Sequence, residues 1–354
     1  MQGEFCVAAR CNVDSPRRSH WTRGLVLENA SEMERYANRE ILNGARWSKL
    51  RLITLLFALF AAAKICAQDL SPRAYLITPL RSNAVTLTWS FYDGGINLGG
   101  SVPVTGATGT YHVPSIAYYH AFGLFGRSAN VTVALPYGVG TFEGNVFGTQ
   151  RSVYRSGLLD LTVRFSVNLI GGHAMPRDEF VKWKQKTLLG VSVKVGVPTG
   201  QYNGAKLLNW GLNRWAIKPE VGYSHRRGQW IIDAYGGVWF FTANDAFFST
   251  PIPLPQTQGP IGSFEGHLSR QLGKDPRFWA SIDGNYWFGG TTTLGGVPRP
   301  DTHQSSSRLG GTFSLPVTKH QSLKFAYSGG TYIRFGGNYQ NVQVAWQYSW
   351  IGRP

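Results

Sequence analysis

The best candidate for chemistry in this 354-residue chain is a histidine with acidic and hydroxyl neighbours at two-residue spacing. His267 lies two residues from Glu265 and from Ser269, and Ser263 continues the series. In an extended strand these side chains share one face, so a base, an acid and a nucleophile could meet, as hydrolysis requires. No glycine-flanked serine elbow or lipase-like motif accompanies them. We therefore favour a row of hydrated polar residues over a lipid-acting enzyme.

Metal-binding and phosphate-binding patterns are missing from the sequence. It contains no His-x-His, no acidic loop with calcium spacing, and no glycine loop followed by Lys and Ser or Thr. The three cysteines, Cys6, Cys11 and Cys66, all precede residue 68, so a chain beginning there has neither disulfides nor thiolate metal sites. The sequence predicts no metal site and no cofactor.

Residues 46–67 carry the pattern of a cleavable export signal. Basic Arg46, Lys49 and Arg51 precede an apolar run over 52–63, which is too short to cross a bilayer as a helix. We predict a signal peptide over 46–67 that is cleaved after Ala67, with an earlier exit at 61–63 as the alternative. Residues 1–45 are polar and aperiodic, and we interpret them as a non-native or disordered N-terminal extension.

Beyond residue 68, apolar residues alternate with polar ones, as in β-strands, and no helical period persists. Segment 341–350 shows the pattern most plainly, because Val344 and Trp346 alternate with Gln343, Ala345 and Gln347. Twelve such segments predict twelve strands. They lie near 84–92, 112–122, 129–137, 158–169, 187–198, 215–224, 230–241, 261–271, 277–288, 306–317, 321–332 and 341–350.

Twelve strands with one apolar and one polar face, in an exported chain, predict an all-β fold. We expect a transmembrane antiparallel up-and-down β-barrel over 68–354, with lipid outside and water inside. Most connections after odd-numbered strands are long and most after even-numbered strands are short, as external loops and periplasmic turns would be. The link 171–186 follows an even-numbered strand and is nevertheless long, and we expect a small helix there around 179–183.

Charged side chains on the polar faces must avoid lipid. An Arg or Lys facing lipid at the midplane would cost about 2–4 kcal/mol, so these groups are expected to face water or one another. The candidate lumen-lining residues of a permeation path are Arg164, Lys194, Lys218, Glu220, Asp233, Glu265, His267, Asp283, Arg308 and Lys324. The candidates for stacking a ring-shaped solute are Trp239, Phe241, Trp279 and Trp287. The alternative is a plugged polar core that serves stability alone.

Several stretches of the sequence are similar to one known family. They include "FGRSANVTVALPYGVG", "LNRWAIKPEVGYS", "DAYGGVWFFTAND" and "HQSLKFAYSGGTYIRFGGNYQNVQVAWQYSW". Over nearly all of residues 72–352 the chain resembles the outer-membrane transporter family of the MetA pathway of phenol degradation. The resemblance implies a β-barrel channel or transporter associated with uptake of aromatic compounds, and it supplies no catalytic motif.

The leading hypothesis is a channel in the bacterial outer membrane for passive or facilitated uptake of small aromatic or hydrophobic solutes, without catalysis. The expected partners are membrane lipid and lipopolysaccharide, the small-molecule solute, and the barrel-insertion machinery, which would bind the C-terminal strand. The formal charge of +16 is scattered along the chain, so no nucleic acid is expected. The alternatives are an outer-membrane lipid-acting enzyme centred on His267 and a structural or adhesive barrel without transport.

Overall fold

The computed structural model describes residues 70–98, 104–249 and 252–353. The N-terminal extension over 1–45 and the signal peptide over 46–67 lie outside the described residues, and both stay predictions. Within the three described ranges, no helix has the length and apolarity needed to cross a membrane.

Strands dominate the described part of the chain. The first eight are β1 Ser82–Asn97, β2 Val104–Leu124, β3 Arg127–Val146, β4 Thr149–Leu158, β5 Leu161–Ile170, β6 Thr187–Val197, β7 Ala216–Arg227 and β8 Trp230–Phe241. The others are β9 Asn244–Phe247, β10 Leu254–Gln258, β11 Ile261–Gln271, β12 Trp279–Gly289, β13 Thr292–Leu294, β14 Val297–Arg299, β15 Gln304–Pro316, β16 Gln321–Ile333 and β17 Gly336–Ile351.

Twelve strands form the wall of a closed antiparallel barrel, and we call them wall strands. β4 and β5 are two halves of one wall strand, because β3 pairs with β4 through 137–146 and with β5 through 129–134. Each wall strand pairs with the next along the chain, and β17 pairs back with β1. The prediction of a twelve-stranded antiparallel barrel is confirmed.

The outer face of the wall is apolar. Leu87, Ile116 and Leu135 lie opposite one another on β1, β2 and β3, and each is between 38 and 50% exposed. On β7, exposed Ile217 alternates with buried Lys218. A soluble protein does not leave so continuous an apolar surface in water. The wall therefore spans a membrane, with its apolar side chains toward lipid.

β1, β2 and β3 extend well beyond their predicted ends. The connections expected over 93–111 and 138–157 are mostly strand, and β3 turns into β4 through residues 147–148. The extension rises beyond the apolar belt, where both faces are polar or glycine-rich, so apolar alternation could not reveal it. Pro114 and Pro219 do lie inside β2 and β7, and pairing with the next strand lapses at both, as expected for a residue without an N–H.

The remaining elements belong to the connections. Helix α1, Arg177–Lys182, lies in the link between β5 and β6 and begins two residues earlier than the small helix predicted there. β9, β10, β13 and β14 form a separate four-stranded sheet from the connections that follow β8 and β12. A single 3-10 turn, Pro300–Thr302, precedes β15.

Candidate functional site

Residues 70–80, which precede β1, run inside the barrel, and we call them the lumen segment. Tyr75 is fully buried, and its hydroxyl lies 2.9 Å from Ser192 Oγ and donates to Glu220 Oε1 at 3.0 Å. The Ala74 N–H donates to the Tyr235 hydroxyl at 3.0 Å. These contacts fix the lumen segment to the inner face of β6, β7 and β8.

Two wall glycines make room for the Tyr75 ring. A Cβ atom at Gly222 would lie 2.0 Å from that ring, and one at Gly190 would lie 2.6 Å from it. The Arg164 guanidinium covers the ring, 4.7 Å from its centroid, in a cation–π contact. Because any side chain at Gly222 would occupy the same space as the phenol ring, the fit of the lumen segment depends on this glycine.

Replacing Gly222 with Ala is expected to displace Tyr75 and loosen the lumen segment. Overpacking of this kind typically costs about 1–3 kcal/mol. Limited proteolysis should cut the lumen segment faster in this variant than in the unmodified protein. Gly266→Ala is the matched control, since a Cβ there would meet no atom within 4 Å. Equal proteolysis of the two variants would contradict the assigned role of Gly222.

The link between β5 and β6 packs under the lumen segment at the periplasmic end. Ile77, Met175 and Leu188 form a buried core, and the Leu80 N–H donates to the Met175 carbonyl at 2.8 Å. Phe180 from α1 packs against the same core. The lumen segment and this link are therefore packed against each other, an arrangement that the sequence did not reveal.

A cavity of about 860 Å³ remains inside the barrel beside the lumen segment. Trp239, Phe241 and Leu212 supply much of its apolar lining. Six of the predicted lumen residues line it, namely Arg164, Lys194, Lys218, Glu220, Glu265 and Lys324. The cavity is therefore amphipathic, with aromatic and charged walls in one space.

Ion pairs join several of these charged residues across strands. Lys218 Nζ lies 2.5 Å from Glu220 Oε2 and 3.1 Å from Glu265 Oε1, which joins β7 to β11 across β8. Arg164 on β5 approaches Glu220 Oε1 at 3.9 Å. Buried charges are tolerated when they are paired in this way.

His267 meets two acidic side chains. Glu265, the acid that the sequence suggested, has its Oε2 3.7 Å from His267 Nε2. Asp283 lies opposite on the neighbouring strand, with its Oδ1 2.9 Å from His267 Nδ1, and the Thr312 hydroxyl donates to Asp283 Oδ2 at 2.8 Å. The His267 side chain and Ser269 are fully buried, and neither lines the large cavity. Among the described residues, no three His, Cys, Asp or Glu side chains are grouped so as to hold a metal ion.

The other predicted site residues lie outside the large cavity. Asp233 and Arg308 are buried in the wall, and Arg308 and Asp283 border a cavity of about 30 Å³. Trp279 is covered by the Arg73 guanidinium, 4.3 Å from its ring centroid, and the Trp287 ring centroid lies 5.8 Å from the Arg308 guanidinium. Of the four candidate stacking residues, the structure thus brings only Trp239 and Phe241 to the cavity.

The loop between β6 and β7, residues 198–215, borders the cavity through Leu212. Both oxygens of Asp160 accept backbone N–H groups of this loop, from Gly200 and from Leu212, each at 2.9 Å. Trp210 packs against the Tyr111 ring at a centroid distance of 5.6 Å. Burial lowers the pKa of Arg214 to about 10, so this loop residue keeps its charge at neutral pH. The sequence alone did not reveal these contacts of Asp160 with the loop.

Comparison with known proteins gives one family and a shared fold. Residues 93–347 match the family described as "Putative MetA-pathway of phenol degradation". The COG4313 outer membrane channel from Pseudomonas putida F1 is 17% identical, with a TM-score of 0.65 over 80% of this chain and 100% of that one. The beta domain of the Bordetella autotransporter Brka is 12% identical, with a TM-score of 0.46 over 76% of this chain and 100% of that one. No curated protein matches the sequence.

The first of these structures shares the fold of this chain. A closed antiparallel barrel of twelve strands with a lipid-facing apolar belt is the architecture of bacterial outer-membrane proteins. The protein is therefore located in a bacterial outer membrane, with membrane lipid around its wall.

Proposed function

Since this chain belongs to the family of the MetA pathway of phenol degradation, we propose that its barrel takes up small aromatic or hydrophobic solutes. Uptake would be passive or facilitated, with no chemical conversion of the solute. One observation carries the proposal: the cavity of about 860 Å³ presents Trp239 and Phe241 to its interior. Their rings lie nearly parallel, with centroids 6.3 Å apart and an interplanar angle of 14°.

A ring-shaped solute suits these two side chains. Offset or edge contacts between aromatic rings contribute about 0.5–1.5 kcal/mol beyond the burial of their area. Such weak, repeated contacts favour passage, because a solute must bind well enough to enter and weakly enough to leave. The 198–215 loop and the lumen segment lie at the two ends of this path, so the barrier to passage would be set by them.

Single-channel recording in planar bilayers tests the proposal. Phenol added to the bath is expected to reduce the ion current in proportion to its occupancy of the cavity. Replacing both Trp239 and Phe241 with Ala should abolish this block. Phe240→Ala is the matched control, because Phe240 lies between them and faces lipid. A barrel that conducts no ions, or a current that phenol leaves unchanged, would count against uptake.

Two further partners belong to the same proposal. Lipopolysaccharide phosphates would contact basic residues on the extracellular side, since residues 68–354 carry a formal charge of +12, from 25 Lys and Arg against 13 Asp and Glu. The barrel-insertion machinery would bind β17, whose outward residues include Val344, Trp346 and Tyr348. Replacing all three with Ser should slow insertion into the membrane, and unchanged insertion would contradict this role.

A further inference from the structure

The side of the cavity next to Trp239 combines an aromatic wall with two ammonium groups. Lys194 Nζ lies 5.9 Å from the Trp239 ring centroid, and Lys218 Nζ lies 5.8 Å from the same centroid. On β6 and β7 the next inward-facing positions toward the extracellular side are Gly196 and Ala216, which have almost no side-chain volume. The cavity extends over these two positions to Trp239 and to Phe241, whose ring centroid lies 4.6 Å from the Arg214 guanidinium, and we call this part of the cavity the aromatic slot.

Lys194 and Lys218 are opposite each other in the β6–β7 ladder. Like charges directly opposite on neighbouring strands destabilise a sheet. The Lys218 side chain extends away toward β11, since a Cβ at Gly237 on β8 would lie 2.8 Å from Lys218 Cε. There Glu220 and Glu265 offset its charge. A further anion beside Lys194 would reduce the repulsion between the two lysines.

The charge of the whole cavity has the same sign as this pair. Its lining holds five cationic side chains, Arg73, Arg164, Lys194, Lys218 and Lys324, and three acidic ones, Asp160, Glu220 and Glu265. Of the acids, Glu220 and Glu265 pair with Lys218, and Asp160 accepts two backbone N–H groups. The net charge of the lining is therefore positive, which favours an anionic ligand.

We infer that the aromatic slot binds a small aromatic carboxylate, with its ring against Trp239 and Phe241 and its carboxylate at Lys194. This inference rests on the proposed function and assigns the class of solute that the cavity holds best. The ring supplies contacts that any aromatic solute shares. The carboxylate forms an ion pair with the ammonium, whereas the carbonyl of a neutral solute could only accept a hydrogen bond from it.

Isothermal titration of the detergent-solubilised full barrel with benzoate and with its neutral isostere benzamide tests the inference. The ion pair, compared with the hydrogen bond of a neutral carbonyl, corresponds to a preference for benzoate of about tenfold. Lys194→Met should remove that preference, so that benzoate affinity falls by more than benzamide affinity. Trp239→Ala should weaken both ligands. Lys206→Met is the matched control, because it removes one charge from an exposed position of the 198–215 loop.

The possible results of these measurements separate the carboxylate assignment from the proposed uptake. Equal affinity for benzoate and benzamide would overturn the carboxylate assignment and leave uptake of neutral aromatic solutes intact. An equal loss of benzoate affinity in Lys206→Met and Lys194→Met would also overturn it, because general electrostatic attraction would then explain the preference. Benzoate binding that depends on Lys194, in a barrel that passes no solute into liposomes, would support the slot and contradict the proposed uptake.

Discussion

Deleting residues 70–79 is expected to raise the single-channel conductance of the barrel several-fold. The lumen segment lies inside the barrel beside the cavity, and Tyr75 and Ile77 tie it to the wall and to the 171–186 link. Ion flow is limited by the narrowest cross-section of a pore, so removal of this obstruction should dominate the current. The measurement is single-channel recording of the deletion variant in planar bilayers.

Tyr75→Phe provides the graded control for this deletion. It keeps the ring between Gly190 and Gly222 but loses the hydrogen bonds to Ser192 and Glu220. We expect its conductance to lie near that of the unmodified barrel, with more frequent openings. If the deletion variant conducts no better than the full chain, the lumen segment does not set the barrier.

The second large effect is a difference in stability between two variants that carry an arginine at neighbouring positions of β3. Leu135 faces lipid near the middle of the apolar belt, whereas Ala134 lines the cavity. Leu135→Arg should destabilise the barrel by about 2–4 kcal/mol, the cost of an Arg at the bilayer midplane. Ala134→Arg should cost much less, because its guanidinium enters the polar cavity and not lipid.

Urea unfolding of both variants in lipid vesicles measures this difference. The two changes introduce the same side chain one residue apart, so strand propensity and total charge are matched. Similar free energies of unfolding would mean that lipid and water do not lie on the assigned sides of the wall.

The sequence alone was sufficient to predict the strands that form the wall of the barrel. The period of two survives wherever a strand has lipid on one side and water on the other, as in β17, where Val344 and Trp346 face out and Gln343 faces in. Where strands rise above the lipid, as at the outer ends of β2 and β3, both faces meet water and the signal disappears. Strand number was therefore predictable, and strand length was not.

The interior was less predictable, because it depends on contacts between distant residues. The lumen segment has no periodicity, and Tyr75 meets Ser192 and Glu220 more than a hundred residues away. The inward orientation of Trp239 and Phe241 was predictable from the two-residue alternation of their strand alone. The burial of Trp279 under Arg73 depends on the path of the lumen segment and was not predictable in this way. The pairing of His267 with Asp283 would have followed from aligning β11 and β12 as a hairpin.

The closure of β17 on β1 has a consequence for assembly. The seam runs from Ser82 opposite Ile351 to Asn97 opposite Gly336, so it joins the first wall strand to the last one synthesised. No partial translation product that lacks β17 can seal the cylinder, and such a polypeptide would present two unpaired edges open to aggregation. Sealing of the cylinder must therefore wait until β17 has been made, whatever the order in which the other wall strands pair.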